Sequence, residues 1–162
     1  MAATITPDVT VYWFGPQVKA ELTAEVRRRL LIAALMVERS AKESMAEQKH
    51  GRWYYKESGS DAVYQASAPG EAPAVRTGVL QSGVSHTYPK MGIDGWMHCY
   101  VGSDEDYGLY LELGVGRFMF GVSRASAAKA GDWRIAPRPW LRPALDKNRA
   151  AIGTLFRLPL KP

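Results

Sequence analysis

An α+β fold follows from three features of this 162-residue chain: one uninterrupted helical stretch near the N-terminus, short β-like runs in the middle, and a second amphipathic stretch near the C-terminus. The expected architecture is a long N-terminal helix packed on a small antiparallel β-sheet, with a C-terminal helix, a loop at 50–75 and an extended arm at 115–131. At this length, with 46% hydrophobic residues, the chain is expected to form one domain over 1–162.

Each element has its own signal. Val9, Val11 and Trp13 alternate with Thr10, Tyr12 and Phe14, the period of a strand, and Gly15-Pro16 breaks the pattern. Pro16 suits a first helical turn, where its missing N–H costs nothing. Beyond it, up to about Lys49, there is no Gly or Pro. Val18, Leu22, Val26, Leu30, Ala34, Val37, Ala41 and Met45 recur there at spacings of three and four, predicting an amphipathic helix about 50 Å long. Its middle, with Leu30, Leu31, Ala34, Leu35 and Val37, is apolar on most faces. That pattern predicts burial on two sides, either by a neighbouring subunit or by the N-terminal strand or a loop.

Residues 50–75 read as a connection, punctuated by Gly51, Gly59, Pro69, Gly70 and Pro73, with Trp53, Tyr54, Tyr55 and Tyr64 inside it. Aromatic residues in so long a connection favour docking over permanent disorder. Thr77 can cap a short helical turn through Gln81. The runs 83–88 and 95–102 then look like two strands around a turn containing Pro89 and Gly92. Tyr107, Tyr110 and Leu111 fall at helical spacing before Gly114, a suitable residue just past a helix end. The arm contains Phe118, Met119 and Phe120. From Pro143, the pattern Leu145, Ile152, Leu155 and Phe156 marks a final helix.

Charge is distributed unevenly. Up to Leu113 there are 11 basic and 14 acidic residues, a net of −3; from Gly114 onward there are 10 basic and 2 acidic, a net of +8. The C-terminal surplus fits a polyanion, an acidic protein surface or simply a solvated face. The longest apolar run, residues 30–37, is eight residues, far below the roughly 18–20 a membrane span needs. The first residues lack the basic and apolar regions of a secretion signal, which leads to the expectation of intracellular synthesis. Cys99 is the only cysteine, so an internal disulfide is excluded.

Reactive constellations are sparse. Ser123 lies in Gly121-Val122-Ser123-Arg124-Ala125, which lacks the second glycine of a nucleophile elbow. Gly114-Val115-Gly116 starts like a dinucleotide fingerprint, but Met119 occupies the third glycine position. His50, His86 and His98 are far apart, and His98 and Cys99 would point to opposite faces of a strand. Asp104, Glu105 and Asp106 could hold a cation or act as a carboxylate pair; placed before a helix, they fit capping of its positive end. No catalytic, cofactor or metal residue is therefore expected, and the chain reads as a non-enzyme. Arg117, Arg124, Lys129, Arg134, Arg138, Arg142, Lys147 and Arg149 could meet phosphates, with Trp133 and Trp140 nearby, yet no sequence-reading motif accompanies them.

Three segments carry a resemblance. Thr77-Gly78-Val79-Leu80-Gln81-Ser82 follows a Pro-containing turn; Tyr107-Gly108-Leu109-Tyr110-Leu111-Glu112-Leu113-Gly114 comes next; Pro137-Arg138-Pro139-Trp140-Leu141-Arg142-Pro143-Ala144-Leu145 comes third. In this order, behind a long N-terminal helix, they resemble the tailed-phage head-tail joining or minor tail-component family, over most of residues 16–156. Arg76, Val115 and Trp140 stand where the family usually has Asp, Thr and Phe.

The resemblance implies a structural subunit of the phage neck. It would form a six- or twelve-fold ring of identical copies between connector and tail proteins, assembled in the host cytoplasm into the virion, with no cofactor and no membrane. Leu30, Leu31, Ala34, Leu35, Val37, Phe118 and Phe120 are the expected subunit contacts. DNA would pass through the lumen, near Arg124, Lys129, Arg134 and Arg138 without base readout. On physical grounds Thr77 should cap, Gly78 relieve crowding and Leu80 anchor the turn. Glu112, near Gly114, should pair with Arg138 or Arg142. Pro139 and Pro143 should fix the approach of the last helix over Trp140 and Leu141. A small basic nucleic-acid-binding module is the competing expectation, and a hydrolase built on Asp104, Glu105 or Asp106 a second.

Overall fold

The computed structural model describes residues 14–55, 63–115 and 135–159. The strand expected at Val9, Val11 and Trp13 lies outside these residues, as do 116–131 of the expected arm.

The fold is α+β, dominated by a 32-residue helix, α1 (Gly15–Ala46), with Pro16 in its first turn. Ala33, Ala34, Val37, Ala41 and Met45, at helical spacing, form its buried stripe. The helix stops at Glu47, whose φ of −61° and ψ of 155° are extended, slightly short of the expected end. Lys49 lies beyond the helix, buried, and its ammonium donates to the Ser44 carbonyl at 2.6 Å. It thereby supplies one of the last-turn carbonyls with the donor that the helix cannot.

The 50–75 connection carries more order than its Gly and Pro content predicts. Strands β1 (Trp53–Tyr55) and β2 (Val63–Gln65) pair antiparallel, with Tyr54 opposite Tyr64. Gly51 and Ala66 extend the pairing, Gly51 N–H donating to the Ala66 carbonyl at 3.0 Å. A Cβ at Gly51 would lie 2.5 Å from that oxygen, so glycine is needed for the close approach. The Glu71 carboxylate accepts from Ala68 N–H at 2.7 Å, the His50 ring at 2.7 Å and His50 N–H at 3.2 Å, tying both ends of the ribbon together.

After the short helix α2 (Val79–Gly83), the two expected central strands form one antiparallel hairpin. Its base pairs β3 (Val84–His86) with β6 (Val101–Ser103), and its outer part pairs β4 (Lys90–Met91) with β5 (Met97–His98). Thr87 N–H to Tyr100 O, at 2.8 Å, links the two parts. Among the described residues no further strand joins, so the expected sheet is a set of two-stranded ribbons. Val84 roots the hairpin in the core at 1% exposure. The Glu38 carboxylate on α1 accepts from the His86 ring and from Lys42, both at 2.6 Å. Lys42 first, and His86 second, hold that carboxyl below its ordinary range. Farther out, the Arg27 guanidinium lies 5.7 Å above the Tyr88 ring. The hairpin thus follows α1 toward its N-terminus.

Helix α3 (Asp106–Leu113) leads through Gly114 to an antiparallel bridge between Val115 and Ile135. The final helix, α4 (Leu141–Arg157), runs antiparallel to α1: Trp140 and Ala144 join Ala41 and Met45 in the core, and Asn148 donates to Ser40 Oγ at 2.9 Å. Leu80 and Val84 complete this core.

Two carboxyls report on the fold through pH. Hydrogen bonds from Arg28 and then Arg29 hold Glu25 at about 2, and Ala68 N–H followed by His50 holds Glu71 at about 2, against an ordinary 4.5. Between those values the unfolded chain binds more protons than the folded one, so stability decreases as pH falls from about 4.5 toward 2. Thermal unfolding followed across this interval should show a falling midpoint, with a shallower fall for Glu71→Gln; a flat profile in the parent chain would contradict these contacts.

Candidate functional site

The three sequence segments singled out above meet around one side chain, Trp140. The indole is 3% exposed, and its Nε1–H donates to the Gly108 carbonyl at 3.1 Å. Gly108 has no room for a side chain without disturbance: a Cβ there would sit 3.0 Å from Leu80 Cδ1 and 3.5 Å from Trp140 Cζ2. Leu80, on α2, thus packs against α3 and α4 at once. The amide of Gln81 secures α2 to α1 by donating to the Lys42 carbonyl at 2.8 Å.

Glu112 does not pair with the arginines that sequence pointed to. Its Oε2 accepts from the backbone N–H of Trp140 at 2.6 Å and of Leu141 at 2.9 Å, and its Oε1 from Arg142 N–H at 2.9 Å. These groups open α4. A helix begins with four N–H groups that have no partner inside it; here Glu112 takes three, and Pro143, in the fourth place, has none to satisfy. A carboxylate at that end also meets the positive pole of the helix dipole. Arg138 turns elsewhere, donating to the Ser67 carbonyl at 3.3 Å and the Ala136 carbonyl at 3.5 Å. It is half-buried, with its guanidinium set against these backbone carbonyls.

The glycines have separate reasons. Gly114 ends α3 with φ of +74°, and a Cβ there would come within 2.9 Å of Ile135 O and Pro137. Gly78, with φ of +80°, is itself the cap position of α2. Thr77 Oγ1 lies 3.5 Å from Val79 N, a long contact in place of the cap expected of it.

Of the expected subunit contacts, Ala34 and Val37 are buried within the chain, Val37 in the core with Val84 of the hairpin and with Trp140 and Ala144. Leu30 and Leu31 are half-buried, and Leu35 is 47% exposed on the outer face. Phe118, Phe120, Arg124, Lys129 and Arg134 lie outside the described residues. Pro139 and Leu141 are half-buried and Arg142 and Pro143 exposed, flanking the Trp140 anchor.

Two features carried no obvious sequence signal. Arg29, one of three consecutive arginines, is 4% exposed and donates to Leu158 O at 2.7 Å and Pro159 O at 3.0 Å, clasping the far end of α4. Its spacing of four from Ala33, on the core stripe, is the clue. The second is the hairpin tip, where Met91, Ile93 and Trp96 are all exposed. Beside α2, a groove of about 360 Å³ is lined by Val75, Arg76, Val79, Tyr107, Leu111 and Arg138 among others.

A cavity beside Trp140 is lined by Ser103, Glu105, Asp106 and Glu112. Asp106 stands in the first turn of α3, and Glu105 N–H donates to Ser103 Oγ at 3.2 Å. Burial holds the Cys99 thiol above its usual range, the reverse of an activated thiolate. Among the described residues no three His, Cys, Asp or Glu side chains could hold a metal ion, and no helix is long and apolar enough to cross a membrane. No protein-family model, curated protein or solved structure matches the chain.

Removing the Glu112 carboxylate should leave three backbone donors unmatched, those of Trp140 and Leu141 part-buried and that of Arg142 exposed. Glu112→Ala is expected to cost about 2–3 kcal/mol and Glu112→Gln about 1 kcal/mol, since the amide still accepts through one oxygen. Urea unfolding of the two variants checks this; equal stability to the parent would refute the capping role.

Proposed function

We propose that this chain is a non-enzymatic structural subunit of a tailed-phage neck, a head-tail joining or tail-completion protein. It would act as one copy in a ring of six or twelve, inside the virion, assembled in the host cytoplasm between connector and tail proteins. The observation that carries the reading is the convergence of the three resembling segments on one structural knot. Thr77 to Leu80, Glu112 to Gly114 and Pro139 to Pro143 serve there to fix α2, α3 and α4 against α1, and the contacts of the knot are those of packing and capping.

Exposed apolar side chains support assembly. Leu35 on α1, Leu109 and Leu113 on α3, and Ile93 and Trp96 on the hairpin all face outward. Apolar side chains left uncovered in this way are available for contact between subunits. DNA passing through such a ring would meet cations without base readout; Arg142, Lys147, Arg149 and Arg157 on the exposed side of α4 are the described residues suited to that.

Mass measurement of the purified full chain, alone and mixed with tails, tests the reading. A ring or tail-bound complex that persists with rising salt, with little DNA affinity of the single copy, is the expected result. A stable single copy that ignores tails and binds DNA with steep salt dependence would replace the neck subunit with a nucleic-acid-binding module.

A further inference from the structure

We propose that the tip of the β4–β5 hairpin of one copy seats in the groove beside α2 of a second copy, so that neighbours join head to tail. The inference rests on the ring reading and specifies its contact.

The tip is built to be buried by something. Met91, Ile93 and Trp96 are 56%, 112% and 72% exposed, on a turn whose backbone is already fixed. Gly95 takes φ of +79°, Gly92 N–H donates to Trp96 O at 2.7 Å, and Asp94 Oδ1 accepts Trp96 N–H at 3.0 Å. A rigid turn presenting an indole and an isoleucine loses little conformational freedom on docking, and aromatic anchors of this kind carry much of an interface's energy.

The groove has the matching character. Val75, Val79 and Tyr107 line it at 41–45% exposure, and Arg76 stands at it with no acidic residue among the lining. The tip brings a carboxylate: Trp96 N–H, and less strongly His98, hold Asp94 below its ordinary range, so it is ionised at neutral pH, with Lys90 set back on the strand. Apolar surface and opposite charge therefore agree in direction.

Geometry selects a second copy over the chain itself. The hairpin passes Glu38 at His86 and Arg27 at Tyr88, heading for the N-terminus of α1, whereas Met45, near the other end of α1, lines the groove. Arg27 and Met45 are 18 residues apart on one helix, about 27 Å, and the tip lies beyond Tyr88. Tip and groove on one chain cannot meet. A contact between unlike ends of identical copies is heterologous, and repeated with a closing rotation it makes a ring.

The test uses two full-length double variants, Ile93→Ser with Trp96→Ser at the tip and Arg76→Glu with Val79→Glu at the groove. All four positions are exposed, and unfolding curves verify that each variant is folded. Analytical ultracentrifugation of the parent should show self-association that either double variant weakens at least tenfold. An equimolar mixture should regain pairs and stop there, because each mixed pair retains one intact tip and one intact groove. Variants that assemble like the parent, or a mixture no better than its components, would overturn the tip-and-groove contact while leaving the ring standing. A parent chain that stays single at every concentration would overturn both.

Discussion

Helix α4 is clasped at both ends by side chains from elsewhere in the chain, and the arrangement of the rest depends on that clasp. Glu112 accepts the N–H groups that open the helix, and Arg29 donates to Leu158 O and Pro159 O just past its close. Each charge sits at the pole of the helix dipole that favours it. The two are also interdependent with the core. A guanidinium buried as deeply as Arg29 is tolerable only with its donors satisfied, and Glu25 together with the end of α4 satisfies them. Trp140 can stay buried because Gly108 accepts its indole N–H and Glu112 its backbone N–H. Removing α4 would strand all of these groups.

Much of the helical framework was legible because periodicity is a local property. Val37, Ala41 and Met45 lie on one stripe whatever they pack against, and α1 and α4 follow from such spacing. What packs against them is not local. Glu112 looked destined for an arginine because sequence displays side-chain charge and conceals backbone donors; the partners proved to be three N–H groups of the helix that Pro139 and Pro143 frame. Arg29 could not be told from its neighbours Arg27 and Arg28 until the end of α4 arrived beside it. Strands β1 and β2 were hidden for another reason. Three-residue strands are too short to display a period of two, and their pairing turns on Gly51 admitting Ala66 at close range. A turn containing Gly92 was readable, although Gly95 proves to belong to the turn and not to the strand expected from it, and the exposure of Ile93 and Trp96 depends on the hairpin projecting alone.

The apolar middle of α1 illustrates how a correct pattern can have a different cause. Leu30, Ala34 and Val37 do indicate burial, yet α4 and the hairpin supply much of it within the chain, leaving Leu35 outward. Uncovered apolar surface is spread more widely, over the first half of α1, the outer face of α3 and the hairpin tip among other places. On the proposed reading the clasped helix is what lets these surfaces keep fixed positions, so that one copy presents the same geometry to the next. A ring needs that constancy, because small angular errors between copies accumulate around the circle.

Native-state hydrogen exchange at the backbone amides of Trp140, Leu141 and Arg142 tests the clasp most directly. Opening residues of a helix ordinarily exchange fast, having no partner inside it. If Glu112 holds them, these three amides should be protected as strongly as amides in the middle of α4. Exchange at the rate of an unprotected chain would show that α4 is not held at this end, and the account built on it would fail.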